Sequence, residues 1–355
     1  MIEPVLSANT FADILLAWYD ANKRTLPWRS DTTPYHVWLS EIMLQQTQVQ
    51  TVIPYYERFT HKLPTINDLA NASQDELHKL WEGLGYYSRV DRLSEAAKVL
   101  VVEYDGLLPE SHEALLALPG IGPYTAGAIA SIAFRERVAA VDGNVLRILS
   151  RLQAYDGPIN IASSAKPLHN LAQHLVPAHR PGDFNQALMD LGSTVCIPNG
   201  APHCEICPFT HACLAKKKQL TGLLPIKKPK KPRSIEQHTI VIFCAKNKIK
   251  IYKRPARGLL AGLWEFMDIP IALTNEGLHD WLQQKTLSSL KIEYLGASRH
   301  VFTHKEWHME GWLVHLSSAD LSDDGKWVSL DELNTTYALA SAIGYYRNQL
   351  SYYLL

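Results

Sequence analysis

The chain has 355 residues, 46% of them apolar and 20% charged, which is enough to fill two hydrophobic cores and excludes a disordered or fibrous protein. Thirty-five Lys and Arg balance 35 Asp and Glu, so any basic surface must be local and compensated elsewhere.

The amino end, "MIEPVLSANTFADILLAW", has no positive stretch before its apolar run and no small-residue cleavage site, which argues against a secretory signal. From Thr10 to about Lys218 the apolar period is helical. Ser and Asp residues precede amphipathic runs, as in "SQDELHKLWEGL", and Gly or Pro closes them. The uncharged run from Ala114 to Phe134 is long enough for a membrane span, but Pro119, Gly120, Gly122 and Pro123 break it midway. The chain therefore reads as a soluble, cytoplasmic monomer with no membrane segment.

That broken run, "LPGIGPYTAGAIASIAF", predicts a tight helix–hairpin–helix over about 112–134. Leu118 closes the first helix, Gly120 and Gly122 supply backbone conformations that other residues resist, and Pro123 suits the first turn of the second helix. Exposed backbone N–H groups at that helix start favour an anion such as a nucleic-acid phosphate. Glycine spacing alone fits an ordinary helical hairpin equally well.

Further along, Asp142 in "AVDGNVL" precedes an apolar helix and is by default its N-cap, with Asn144 just after it. The stretch "DLGSTVCIPNGAPHCEICPFTHACLA" then packs Cys196, Cys204, Cys207 and Cys213 in a C-x7-C-x2-C-x5-C pattern. One C-x2-C knuckle and a wider gap inside a single loop fit four thiolates around a compact iron–sulfur cluster better than tetrahedral zinc. Cys244 stands alone in an apolar strand and reads as a core residue.

In "KKKQLTGLLPIKKPKKPRS" the lysines at 216–218, 227, 228, 230 and 231 and Arg233 meet no acid. Residues 219–234 therefore read as an extended basic tether, either merely solvated or also touching phosphates. Beyond it the period becomes alternating. "HTIVIFCAKNKIKIYKR" predicts two strands about an Asn-containing turn, "RHVFTHKEWHMEGWLVHL" two more, and "YALASAIGYYRNQL" a helix. The expected architecture is a multidomain chain, with an all-α module over 1–218 followed by an α+β module over 235–355.

The hairpin, the aspartate of "VDGNVLRILSRL" and the cysteine loop together resemble the helix–hairpin–helix DNA glycosylase superfamily. "PWRSDTTPYHVWLSEIMLQQTQV" and "GLGYYSR" narrow the resemblance to the adenine-excising, iron–sulfur branch of the MutY type. The resemblance implies a [4Fe–4S] cluster on the four cysteines and, as substrate, double-stranded DNA carrying A·8-oxoguanine or A·G mispairs. It also implies monofunctional excision of the adenine, in base excision repair. The expected chemistry needs a proton for the departing base and a negative group near the sugar, where oxocarbenium charge develops. On spacing alone Glu41 is an exposed helix glutamate. The resemblance makes it the acid, with Val37, Trp38 and Leu44 as an apolar wall that raises its pKa. Asp142 becomes the stabiliser of the sugar cation, held ionised by its helix N-terminus, and Asn144 an assisting amide.

Where bifunctional relatives carry a Schiff-base lysine, this chain has Tyr124, which cannot form an imine and is expected to hydrogen-bond near Glu41 or the sugar. Arg24, Trp28, Arg29, Leu44 and Gln186 match adenine-pocket positions, although some relatives have glutamate where Gln186 stands. Gln46, Tyr86 and Tyr87 match positions that fill the gap and stack beside the opposite base; core packing is the other reading of the tyrosines. The family usually has six residues between the first two cysteines, and this chain has seven.

In the carboxyl module "RPARGLLAGLWEFMD" resembles the start of a Nudix fold, but "IPIALTNEGLHDWLQQ" lacks the glutamate array that binds magnesium, implying recognition in place of pyrophosphate hydrolysis. There Phe302, Thr303 and His304 would probe the 8-oxoguanine strand, with Thr303 where relatives often have serine; an ordinary strand-end turn is the alternative. The basic tether is a candidate contact for replication or repair proteins. Two other functions compete: a pyrimidine-lesion glycosylase with lyase activity, and a non-catalytic iron–sulfur DNA sensor.

Overall fold

Side-chain caps set the helix starts that the sequence signals. Ser7 accepts from the Thr10 N–H, Ser73 from Glu76 and Ser111 from Ala114, each at 3.2 Å. In the computed structural model, which describes residues 2–229, 231–317 and 323–353, chain contacts divide the protein into two units. The first comprises Met1–Asn71 and Arg92–Pro229, the second Ala72–Asp91 and Lys230–Leu355. The segment 72–91, helical by pattern, thus groups with the carboxyl-terminal residues. Among the described residues no helix is long and apolar enough to cross a membrane.

Helices α1 (Ala8–Asn22), α2 (Pro27–Ser30), α3 (Pro34–Leu44), α4 (Val49–Lys62) and α5 (Ile66–Asn71) open the chain, followed by α6 (Gln74–Trp81) and α7 (Ser88–Glu103). Then come α8 (His112–Leu116), α9 (Pro123–Ala133), α10 (Gly143–Leu152), α11 (Ala162–Leu175), α12 (Pro181–Thr194) and α13 (Leu214–Lys217). The first unit's main core joins α1, α10, α11 and α12 through residues such as Leu15, Leu149, Leu171 and Leu188. Phe209, from the cysteine loop, stacks on Phe11 of α1 with ring centroids 4.4 Å apart, so that loop is pinned to the core by an aromatic plug.

The predicted hairpin forms between α8 and α9. Gly120 has φ +75° and a Cβ there would meet the Arg92 Cβ at 2.6 Å, so glycine is required twice over. Gly122 corrects the expectation made for it. Its φ of −92° suits any residue, and a Cβ would meet nothing within 4 Å, so it is an N-cap beside open space. Leu118 is buried and serves the packing of the hairpin.

The segment read as a tether is anchored over much of its length. Arg151 donates to the Leu224 carbonyl, the Ile159 N–H to that of Ile226, and Asn160 pairs with the backbone of Lys228 in both directions. Lys230 lies outside the described residues.

In the second unit, β1 (Ser234–Ala245) and β2 (Lys248–Lys253) turn through Lys246 and Asn247, both with positive φ (49° and 58°), as a two-residue hairpin with its twist requires. Strands β3 (Trp264–Glu265), β4 (Met267–Ile269), β5 (Ser289–Val301), β6 (Lys305–Leu316) and β7 (Lys326–Val328) complete a mixed sheet of order β3-β2-β1-β6-β5, with β4 on β1 and β7 on β2. Strand β1 runs parallel to β6, and β5 is antiparallel to β6. Helix α14 (Asn275–Gln284) supplies Leu278 and Leu282 to the core under the sheet, while α15 (Leu330–Thr335) and α16 (Gly344–Tyr353) close the chain. Residues 341–343 form a 3₁₀ turn, so the final helix starts later than its apolar pattern suggests.

Candidate active site

Helix α3 begins at Pro34 and is apolar nearly all round, with Tyr35 and residues 37 to 43 buried. Such a helix lies inside the protein, and it takes Glu41 in with it at 5% exposure. Burial pushes the Glu41 carboxyl up from 4.5 to about 7, with the nearby Asp142 adding to the rise, while the hydrogen bond from Tyr124 and the charge of Arg29 oppose it. Tyr124, in the first turn of α9, donates its hydroxyl to Glu41 Oε2 at 2.7 Å, and burial holds the phenol far above its usual range.

Asp142 caps α10 as expected. Its Oδ1 accepts from the N–H groups of Asn144 and Val145, both at 2.8 Å, and its Oδ2 from the Asn144 amide at 2.6 Å. Burial is the largest influence on this carboxyl and moves its pKa upward, while the hydrogen bonds of the cap and the charge of Arg147 pull it down. Asn144 in turn accepts from Arg147 Nη2 at 2.9 Å, and the same nitrogen donates to the Gly192 carbonyl at 2.7 Å. Helix α12 comes so close here that a Cβ on Gly192 would lie 2.7 Å from that of Asn144.

Glu41, Tyr124, Asp142 and Asn144 line one cavity of about 500 Å³ in the first unit, together with Arg24, Trp28, Arg29, Leu44 and Gln186. All five positions matched to a base pocket are therefore brought to the same place. Asp190, buried on α12, escaped sequence reasoning because its partners, Arg24 and Arg29, lie far away in the chain. It accepts from Arg24 Nε at 2.6 Å and from Arg29 Nη1 and Nη2 at 2.7 and 3.0 Å, fixing both arginines at the cavity wall. Arg147 was missed likewise; only its place one turn after Asn144 hints at it. Gln46 is exposed with φ +58° at the end of α3 and is not among the cavity-lining residues.

The four cysteines line a second, smaller cavity of about 30 Å³ with Ile148, Arg151 and Phe209. Arg151 Nη1 approaches Cys196 Sγ at 3.3 Å, and Cys213 Sγ lies 3.5 Å from the Arg151 carbonyl. Burial raises the Cys207 thiol to about 11 and moves Cys213 the same way. The longer loop before Cys204 makes an exposed turn at Gly200 (φ +78°) and returns through a hydrogen bond from His203 to the Val195 carbonyl. Among the described residues no group of three or more His, Cys, Asp and Glu is arranged to hold a single metal ion.

Within the second unit, Tyr86, Tyr87, Phe302, Thr303 and His304 line a cavity of about 380 Å³ with Gly258 to Ala261. Tyr86 is 49% exposed and shares a 3.2 Å hydrogen bond with Thr303. Tyr87 is buried, edge-on to His78, so the core-packing reading holds for it and leaves Tyr86 as the presented ring. Thr303 and His304 form the exposed tip between β5 and β6, and Phe302 packs edge-on against His300 and Trp307.

Comparison with known proteins bears on both units. The family model of HhH-GPD superfamily base excision DNA repair proteins matches residues 39–168, and a NUDIX domain model matches 238–348. The adenine DNA glycosylase of Mus musculus is 37% identical over 94% of this chain and 76% of its own length. That of Homo sapiens is 37% identical over 94% and 73%. Of solved structures, a thermostable thymine-DNA glycosylase matches with TM-score 0.54 and 31% identity, over 59% of this chain and 97% of that one. Similarity of this extent runs through the helical unit and on into the sheet, and the chain belongs to the adenine DNA glycosylase family.

Proposed function

We propose that this chain is a monofunctional glycosylase that excises adenine mispaired with 8-oxoguanine or guanine in double-stranded DNA. The observation that carries this reading is Glu41, a buried carboxyl held at about 7 and facing Asp142 and Asn144 across one cavity. Extruding a base from the duplex costs a few kcal/mol, which contacts in the pocket and beside the vacated stack offset.

In the pocket the base lies among Trp28, Leu44 and Gln186, and protonated Glu41 donates to a purine ring nitrogen. The bond from that base to sugar C1′ breaks, its electron pair leaves with the base, and positive charge develops on the sugar. Asp142 faces that charge, and its ionised form is favoured as the cation forms because the two lower each other's energy in a dry site. Asn144, braced by Arg147, fixes the carboxylate's orientation. Water then adds to C1′ and its proton returns to the carboxylate pair. Tyr124 supplies no amine, so the sugar is released as an abasic site with the strand intact.

The four cysteines would hold a [4Fe–4S] cluster, a redox-active metal group whose role here is to pin the loop from Cys196 to Cys213. Sulfurs spread around a cavity suit a multi-iron cluster better than convergence on a point suits one ion. Buried thiols lose their protons on binding the metal, so cluster retention weakens in acid. Lys216, exposed beside this loop, is then available to DNA phosphate, as are the backbone N–H groups beyond Gly122. Tyr86, Thr303 and His304 read the strand opposite the adenine, and the enzyme acts with the chromosomal DNA as a monomer.

The test is a single-turnover assay on a duplex with one central A·8-oxoguanine pair, scored with and without hot alkali. Breaks in the adenine strand only after alkali are expected; breaks without alkali would mean a lyase and overturn the reading of Tyr124.

A further inference from the structure

The stretch "GLGYYSR", Gly83 to Arg89, leads from the end of α6 into the first turn of α7 through an unusual backbone path. Gly83, Gly85 and Tyr86 all have positive φ, at 105°, 70° and 48°. Glycine takes such angles freely, but a tyrosine there is strained and stays only where its surroundings over-determine it.

Arg89 supplies that constraint. Its Nη2 donates to the carbonyls of Leu84 at 3.0 Å and Gly85 at 2.9 Å, and its Nε to that of Tyr86 at 3.4 Å. Its guanidinium also lies over the rings of Trp81 at 5.2 Å and Tyr86 at 5.8 Å. Trp81 Nε1 adds one further bond to the Gly85 carbonyl, at 3.1 Å. The side chain is enclosed, with Arg89 only 8% exposed, while the Tyr86 ring it supports is 49% exposed at the cavity that Thr303 and His304 also line. A rigid planar fork can gather three adjacent carbonyls and stack on an aromatic face at once, whereas a lysine ammonium is a point charge on a flexible stem.

We infer that Arg89 is a positioning residue that holds Tyr86 in its strained, outward conformation, so that the ring is already in place to stack beside the base opposite the excised adenine. The inference deepens the proposed function and rests on the role given there to Tyr86. Ordering the ring beforehand spares its loss of freedom on binding, so the effect belongs to recognition of the mispair and not to chemistry.

The experiment is a double-mutant cycle on the full chain in a Glu41→Gln background, which leaves the duplex intact. Kd is measured for a duplex with one A·8-oxoguanine pair and for the same duplex fully matched. Tyr86→Ala should weaken mispair binding by about 5- to 150-fold, the worth of one base stacked on an aromatic ring. Arg89→Met should cost a similar factor and reduce the preference for mispaired over matched duplex, and combining the two should add nothing. Arg89→Lys should recover only part, and it carries the same cycle where Arg89→Met does not fold. If Tyr86→Ala weakens binding while the Arg89 variants stay within about twofold, or if the losses multiply, the positioning role is refuted and the role of Tyr86 stands. If Tyr86→Ala changes nothing, the recognition reading fails and the inference falls with it.

Discussion

Replacing Glu41 by Gln should stop excision and also stabilise the folded protein in a way that depends on pH. A carboxyl held at about 7 in the fold against 4.5 ordinarily disfavours its own ionised form there. At about 1.4 kcal/mol per pH unit this amounts to about 3 kcal/mol. Because the folded value is the higher one, the stability that protonated Glu41 contributes is complete below pH 4.5 and is lost as pH rises through about 7. Glutamine never ionises, and its carbonyl oxygen still accepts from the Tyr124 hydroxyl, so the variant escapes this loss. Its advantage over the parent should be under about 1 kcal/mol at pH 5 and near 3 kcal/mol at pH 8.5. For a cooperative unit of roughly 200 residues, the larger figure corresponds to a gain of about 6–12 °C in melting temperature. Scanning calorimetry of both proteins at the two pH values measures it. A difference that is the same at both, or a variant that melts lower at pH 8.5, would refute the claim that Glu41 is buried and raised.

Three further outcomes follow from the same geometry. Because the Tyr124 hydroxyl stabilises ionised Glu41, Tyr124→Phe should raise the carboxyl further and move the alkaline limb of the single-turnover pH–rate profile, expected near pH 7 in the parent, to higher pH; a limb that stays or falls counts against the pairing. Asp190→Asn removes the buried partner of two arginines and should destabilise the protein by about 3 kcal/mol, seen in urea unfolding, with excision lost as the pocket wall loosens; a variant as stable as the parent would mean the arginines find other partners. Gly192→Ala forces Asn144 away from Asp142 and Arg147 and should lower the excision rate at least tenfold, about 1.4 kcal/mol in barrier, while the melting temperature of the DNA-free protein shifts by a few degrees only.

The legible parts of this protein were those written in local pattern. Asp142 before "GNVL", Pro123 after Gly122 and Asn247 between two alternating runs each specify a cap or a turn through their own chemistry, and each does so in the structure. The branch of the family was legible for another reason: its motifs are long and consecutive, so similarity identifies them where periodicity does not. Residues whose meaning lies in a distant partner stayed hidden. Nothing near Asp190 in sequence announces that it is 166 residues from Arg24 in the chain and bonded to it in the fold. Segment 72–91 reads as one more helix and turn, and only contacts assign it to the second unit, where Trp264 donates to Asp75 and Arg347 to Glu82.

Asp142 shows which part of the electrostatics local pattern leaves out. A helix start pulls a carboxyl pKa down by an amount the sequence lets one anticipate, whereas burial pushes it up by an amount that depends on everything packed around it. Here burial is the largest influence at both Asp142 and Glu41 and moves each carboxyl upward. Two carboxyls raised together in one cavity resist ionising together, and that mutual resistance is what a site needs if one of them is to keep its proton for a departing base while the other waits for a positive charge to form beside it.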